Sequence, residues 1–131
     1  MKSRAKLLVF ICIFVILTSF FIVLYLNKRN FRIETKDIAR ITVQYKLNKV
    51  VIGNPQDLHM FYDNIIKDYK LHSLALGSKG WIYWVKCYDS DGKLIYDFTI
   101  QSDKLIKING WFYEASDGVI NLNYFRDLFT K

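Results

Sequence analysis

The sequence has few of the residues that fix small folds through covalent or metal bonds. Its 131 residues include two cysteines and two histidines. Cys12 lies inside a long apolar run and Cys87 far along the chain, so we expect no intrachain disulfide. His59 and His72 have no cysteine or histidine neighbour at ligand spacing, so we assign no metal and no cofactor. The fold must depend on packing, for which 52 % hydrophobic and 17 % aromatic residues provide the material.

Motifs of catalytic chemistry are also missing from the sequence. It contains no nucleophile elbow, phosphate loop or paired-carboxylate motif. Asp89-x-Asp91-Gly92 begins like a calcium loop but lacks the later ligands, and Ile100 stands where the closing glutamate belongs, so we interpret it as a turn. Cys87 reads as a small core residue rather than a nucleophile. The prediction is a protein that is not an enzyme.

The net charge of +7 is concentrated at the start of the chain. Six basic residues flank the apolar run, and without them 13 basic and 12 acidic residues leave a charge of +1. Basic flanks can meet anionic lipid headgroups, whereas a nearly neutral domain does not favour nucleic-acid binding. We therefore predict no nucleic-acid partner. The flanking residues are Lys2, Arg4, Lys6, Lys28, Arg29 and Arg32.

An uncharged run of 20 residues, 7–26, follows a basic tail at residues 1–6. As a helix it would span roughly 30 Å, the thickness of the bilayer hydrocarbon. The run ends in Leu24-Tyr25-Leu26-Asn27-Lys28, which offers no signal-peptide cleavage site. Cys12 follows Phe10-Ile11, which does not suit a lipoprotein cysteine. We predict an uncleaved, single-pass transmembrane helix in contact with membrane lipid.

The orientation of this anchor has evidence on both sides. Three basic residues precede the run and five follow within 15 residues, which by the positive-inside rule favours a cytoplasmic C-terminus. A short basic head before an apolar core is, however, typical of a signal anchor, and long domains translocate largely regardless of charge. We predict that the domain lies outside the cytoplasmic membrane.

After a predicted polar linker at 27–36, the domain at 37–131 begins with a hairpin. Ile41, Val43 and Tyr45 alternate with polar residues, and a turn at Leu47-Asn48 would place Tyr45 opposite Val50 and Val43 opposite Ile52. A helix follows, with Asn54 as its cap and Pro55 in its first turn. Its apolar positions are Leu58, Phe61, Tyr62, Ile65, Ile66 and Tyr69.

Residues 71–80 are predicted to be a connector, and three turns then divide the remaining sequence. The turns at 89–92, 101–103 and 109–110 imply strands near 81–88, 93–100, 104–108 and 111–114. The register that we expect places Asp97 opposite Lys107 as an ion pair. A final helix with a wide apolar arc follows Ser116-Asp117-Gly118. The predicted fold is α+β, a transmembrane helix and then an antiparallel sheet domain of order ββ-α-ββββ-α.

One face of the predicted four-stranded meander is uncharged and suits a core, from Trp81 to Tyr113. The opposite face carries charged groups but also more apolar residues than a face that only contacts solvent. An apolar patch of this kind indicates an interaction site. The alternative is that the C-terminal helix, with its wide apolar arc, or the linker covers this face within the same chain. The candidate partner-binding residues are Ile82, Trp84, Tyr88, Ile95, Leu105 and Phe112.

The pattern of three stretches is informative: Ile38–Val43, the capped helix from Asn54, and Ile108–Tyr113. In this pattern the domain resembles small membrane-anchored or lipoprotein extracytoplasmic domains of Gram-positive bacteria. The resemblance implies a cell-envelope setting and carries no catalytic residues. We expect a membrane-anchored, non-catalytic binding or accessory module with a protein partner. An immunity-type self-protection protein and a cell-wall or glycan binder are the alternatives, ahead of an enzyme.

Overall fold

The computed structural model describes residues 2–28, 30–75 and 80–130. It begins with helix α1, Lys2–Lys28. The segment Lys2–Leu26 is long and apolar enough to cross a membrane, and none of it is buried inside the protein. A core helix of a soluble protein would be mostly buried, so α1 is not part of the domain core. Of the predicted basic flank, Lys2, Arg4 and Lys6 are exposed on α1, and Arg29 lies outside the described residues.

The rest of the described chain forms one antiparallel sheet of eight strands with two helices, which confirms the α+β fold. The strand order across the sheet is β1-β4-β8-β7-β6-β5-β2-β3. In chain order the elements are β1 (Asn30–Arg32), β2 (Arg40–Tyr45), β3 (Asn48–Ile52), α2 (Pro55–Asn64), β4 (Asp68–Leu74), β5 (Tyr83–Tyr88), β6 (Leu94–Ile100), β7 (Leu105–Ile108), β8 (Trp111–Ala115) and α3 (Leu122–Leu128).

The core lies between the two helices and one face of the sheet, which we call the inner face. Phe125 of α3 is fully buried and its ring lies 5.2 Å from that of Tyr83 on β5 and 5.6 Å from that of Phe61 on α2. The buried sheet residues alternate as a half-buried sheet requires. They are Ile41, Val43, Ile52, Tyr69, Tyr83, Val85, Cys87, Phe98, Ile100, Ile106, Tyr113 and Ala115.

The segment predicted to be a linker differs from the prediction in residues 30–33. Asn30–Arg32 forms β1 and pairs with β4, and Ile33 is 1 % exposed. Phe31 packs among the rings of Tyr69, Tyr96 and Tyr113. Arg32, assigned to the membrane flank, forms salt bridges with Glu34 and Asp68. The chain joins the sheet from Asn30, where Ile33 is buried and the half-buried Phe31 packs against the core.

The predicted helix from Asn54 exists but is shorter than expected. The Asn54 side chain accepts a hydrogen bond from the backbone N–H of Gln56 at 2.8 Å, and Pro55 opens the helix, as predicted. The helix ends at Asn64, and Tyr69 is buried from strand β4 instead. Part of the predicted connector, through Leu74, is therefore a strand, and its residues 76–79 lie outside the described residues.

Three predicted strand registers are wrong by two residues, although the faces are right. The first hairpin turns at Lys46-Leu47, so Val43 pairs with Val50 and Ile41 with Ile52. In the meander Tyr83 pairs with Ile100 across β5 and β6, and Lys107 pairs with Thr99 rather than with Asp97 across β6 and β7. Asp97 lies opposite Lys86 of β5. A shift of two preserves which face a side chain occupies, because side chains alternate with a period of two. The Asn109-Gly110 turn is as predicted, with φ of 52° and 81°.

Candidate functional site

The face of the sheet opposite α2 and α3, which we call the outer face, is not covered by either helix. Both helices pack on the inner face, and β1 joins the edge of the sheet instead of crossing it. Within the described residues, neither alternative cover predicted from the sequence therefore lies on the outer face. Its central residues are Thr42, Gln44, Trp84, Lys86, Asp97, Thr99, Leu105, Lys107, Phe112 and Glu114.

The strand register sets the neighbours on the outer face. One row across the sheet runs Gln44, Trp84, Thr99, Lys107, Phe112. Trp84 and Phe112 are thus three strand spacings apart, roughly 14 Å. Polar and charged residues separate the two rings. The outer face therefore alternates aromatic anchors with polar groups and does not form one continuous apolar patch.

The structure does not bring the six candidate partner-binding residues into one cluster. Trp84, Tyr88, Leu105 and Phe112 are half-buried, and Ile95 is 36 % exposed. Ile82 precedes β5 and packs against the core, so it is not available to a partner in the way that we expected. Tyr88 lies at the far end of β5 from Trp84, with the Arg40 guanidinium 4.4 Å from its ring centroid.

Trp84 is the most constrained aromatic residue of the outer face. Its indole N–H donates a hydrogen bond to the Asp97 carboxylate. The Lys86 ammonium lies 4.4 Å from its ring centroid, a cation–π contact. Trp81 meets it edge to face, with centroids 5.9 Å apart and an angle of 65° between the rings. These contacts hold the indole in one orientation.

Sequence reasoning placed Trp81 in the core, whereas its side chain is 37 % exposed. The alternation of β5 begins only at Tyr83, so the pattern does not extend back to Trp81. The backbone N–H of Ile82 still bonds the Ile100 carbonyl at 2.8 Å, which fixes the chain beside the sheet. The nearby Gly80, with a φ of 88°, was the available signal that the strand had not yet begun.

A hollow of about 400 Å³ lies beside the two tryptophans. It is bordered by the start of β5, the C-terminal half of β6 and the β7–β8 turn. The Gln101 side-chain amide donates to the Thr99 hydroxyl at 2.7 Å, which positions it at the rim. Its aromatic, charged and amide side chains come from Trp81, Trp84, Asp97, Gln101, Lys107 and Asn109.

The Cys87 thiol and the Asp89 carboxylate, which could suggest chemistry in the sequence, have structural roles. Burial raises the pKa of the Cys87 thiol to about 12, so the thiol stays neutral at physiological pH. The Asp89 carboxylate accepts hydrogen bonds from the backbone N–H groups of Asp91 and Lys93, both at 2.9 Å, and so stabilises the turn between β5 and β6. No group of three or more potential metal ligands occurs among the described residues.

No protein-family model, curated protein or solved structure matches this chain. The resemblance to Gram-positive envelope domains thus stays a prediction.

Proposed function

We propose that the chain is a membrane-anchored, non-catalytic binding module of the bacterial cell envelope. In this proposal α1 is the anchor, and the outer face holds a protein partner. The observation that carries it is the placement of α2 and α3 on the inner face alone, which leaves the half-buried Trp84 and Phe112 without a helix above them.

The composition of the outer face supports a protein ligand. Aromatic residues are enriched at protein interfaces, where they act as anchors among polar groups. Lys86 faces Asp97 across the strands, and Glu114 faces Lys70, so the face carries both signs of charge. A surface of mixed charge with aromatic anchors suits a protein better than a polyanion, which would need an excess of basic residues.

The proposed location rests on the anchor. A basic head followed by a long apolar helix is typical of a signal anchor that leaves the following domain outside the cytoplasm. Long domains also translocate largely regardless of the charges that flank the membrane span.

Site-specific photocrosslinking in cells tests the proposed interface. We expect a crosslinking residue at Glu114, beside Phe112 on the outer face, to give a discrete protein adduct in the membrane fraction. The same residue at Met60, which is 50 % exposed on α2, is the control and should give no such adduct. Trp84→Ala with Phe112→Ala should reduce the Glu114 adduct about tenfold or more, since aromatic anchors dominate interface energy.

Two results would contradict the proposed interface. One is equal adducts from Glu114 and Met60, which would mean that the outer face has no preference. The other is an unchanged Glu114 adduct in the double variant while circular dichroism shows that the variant is folded.

A further inference from the structure

The hollow at one end of the outer face has a rigid aromatic wall. Trp84 is held by the Asp97 carboxylate at its N–H and by the Lys86 ammonium 4.4 Å from its ring centroid. Trp81 rests against it edge to face and stays 37 % exposed. An exposed indole that already packs against a held ring loses less conformational entropy when a ligand packs on it than a free side chain does. Trp81 is therefore the surface on which a flat apolar group can rest.

The remaining lining of the hollow is polar and has both donors and acceptors. Asp97 provides carboxylate oxygens, which only accept hydrogen bonds when ionised. Gln101 and Asn109 carry amides, each of which donates and accepts. Asn109 sits in the β7–β8 turn with a positive φ of 52°, which fixes its backbone at the rim. A ligand that fits here has an apolar face and several hydroxyl or amide groups at its edges.

The hollow is lined by one acidic and one basic residue, Asp97 and Lys107, so it has no excess of either charge to favour a charged ligand. A quaternary ammonium would suit the indoles and Asp97, but Lys107 also lines the hollow and repels a cation. A phosphate or nucleotide would suit Lys107, but Asp97 repels an anion. A neutral ligand meets neither penalty.

We propose that this hollow binds a neutral glycan. The C–H face of one sugar ring packs on Trp81, and hydroxyl or acetamido groups bond with Asp97, Gln101 and Asn109. A pocket with aromatic walls and a few convergent polar groups is the usual form of a small-ligand site. The inference goes beyond the protein interface of the proposed function, with which it shares the uncovered outer face and Trp84.

Titration of the full chain in detergent micelles with oligosaccharides tests the site. The probes are the tetramer of N-acetylglucosamine and the tetramer of β-linked glucose. The measurement is the NMR shift of the three tryptophan indole N–H signals, from Trp81, Trp84 and Trp111. We expect one of the probes to shift the Trp81 and Trp84 signals in a saturable way and to leave Trp111 nearly unchanged.

Two variants separate this site from the rest of the outer face. Trp81→Ala should weaken sugar binding about tenfold, since one stacked aromatic contact is lost. Phe112→Ala, on the same face but three strands away, should bind the sugar as the unchanged chain does. The absence of a shift with both tetramers, or wild-type affinity in Trp81→Ala, overturns the glycan proposal. Neither result touches the crosslinking test of the protein interface at Glu114, so the two proposals can fail separately.

Discussion

Replacing Phe125 by alanine is expected to lower the free energy of unfolding of the domain by about 3–5 kcal/mol, the usual loss for a buried phenylalanine. Phe125 is fully buried, and its ring lies within 5.2–5.6 Å of the rings of Phe61, Tyr83 and Tyr124. Its removal would leave a cavity where α2, α3 and the inner face meet. A loss of this size is a large part of the stability of a small domain.

Urea unfolding followed by tryptophan fluorescence measures this effect, with Phe112→Ala as the matched control. Phe112 is also a phenylalanine, but it lies on strand β8 and is half-buried on the outer face. We expect its replacement to cost about 1 kcal/mol or less, as for a position outside the core. Equal losses for the two variants would mean that the core lies on both faces of the sheet, against the arrangement described above.

The second large effect is expected at Ile33, just after the membrane-length helix. Ile33 is 1 % exposed, and its backbone N–H donates to the Lys67 carbonyl at 2.8 Å. Ile33→Ala should lower the free energy of unfolding by about 2–5 kcal/mol, the range for a buried aliphatic side chain. The same urea experiment measures it.

Lys36→Ala is the control for Ile33, because Lys36 is exposed in the same segment. A change within about 0.5 kcal/mol is expected there. If Ile33→Ala were as harmless as Lys36→Ala, the segment around Ile33 would behave as a linker after all and would contribute nothing to the stability of the fold.

The sequence was sufficient to predict which face of each main strand is buried. Alternation of period two put Tyr83, Val85 and Cys87 on the core side and Trp84 and Lys86 opposite, and the structure agrees. The same pattern could not give the register, because a slip of two residues leaves every side chain on its face. Because of the slip, Thr99 rather than Asp97 pairs with Lys107, and Asp97 lies opposite Lys86, with its hydrogen bond to Trp84 running diagonally between the strands.

The two strands that were missed, β1 and β4, lack a readable local pattern. β1 has three residues, Asn30–Arg32, and its apolar Phe31 stands between polar neighbours. β4 follows the helical spacing of Ile65, Ile66 and Tyr69, so the helix period hid its start. β1 pairs with β4, and β4 pairs with β8, and such non-local pairing cannot be predicted from a short window of sequence.

The candidate site could be predicted only in part for the same reason. Trp84 and Phe112 were identified from the apolar excess of one face. The hollow was not, because it joins Trp81, Gln101 and Asn109 from three separate turns and strand ends. Their proximity depends on the register and on where β5 begins, neither of which the pattern determines.

The central claim is that an uncovered sheet face is held outside the cytoplasm by α1. Labelling of Thr99→Cys in intact cells with a membrane-impermeant maleimide, in a Cys12→Ala chain, tests it most directly. Thr99 lies in the middle of the outer face, whereas the buried Cys87, with its pKa raised to about 12, should not react. We predict labelling of Thr99→Cys in intact cells and none of the Cys12→Ala parent. Labelling only after the cells are permeabilised would place the domain in the cytoplasm and contradict the account.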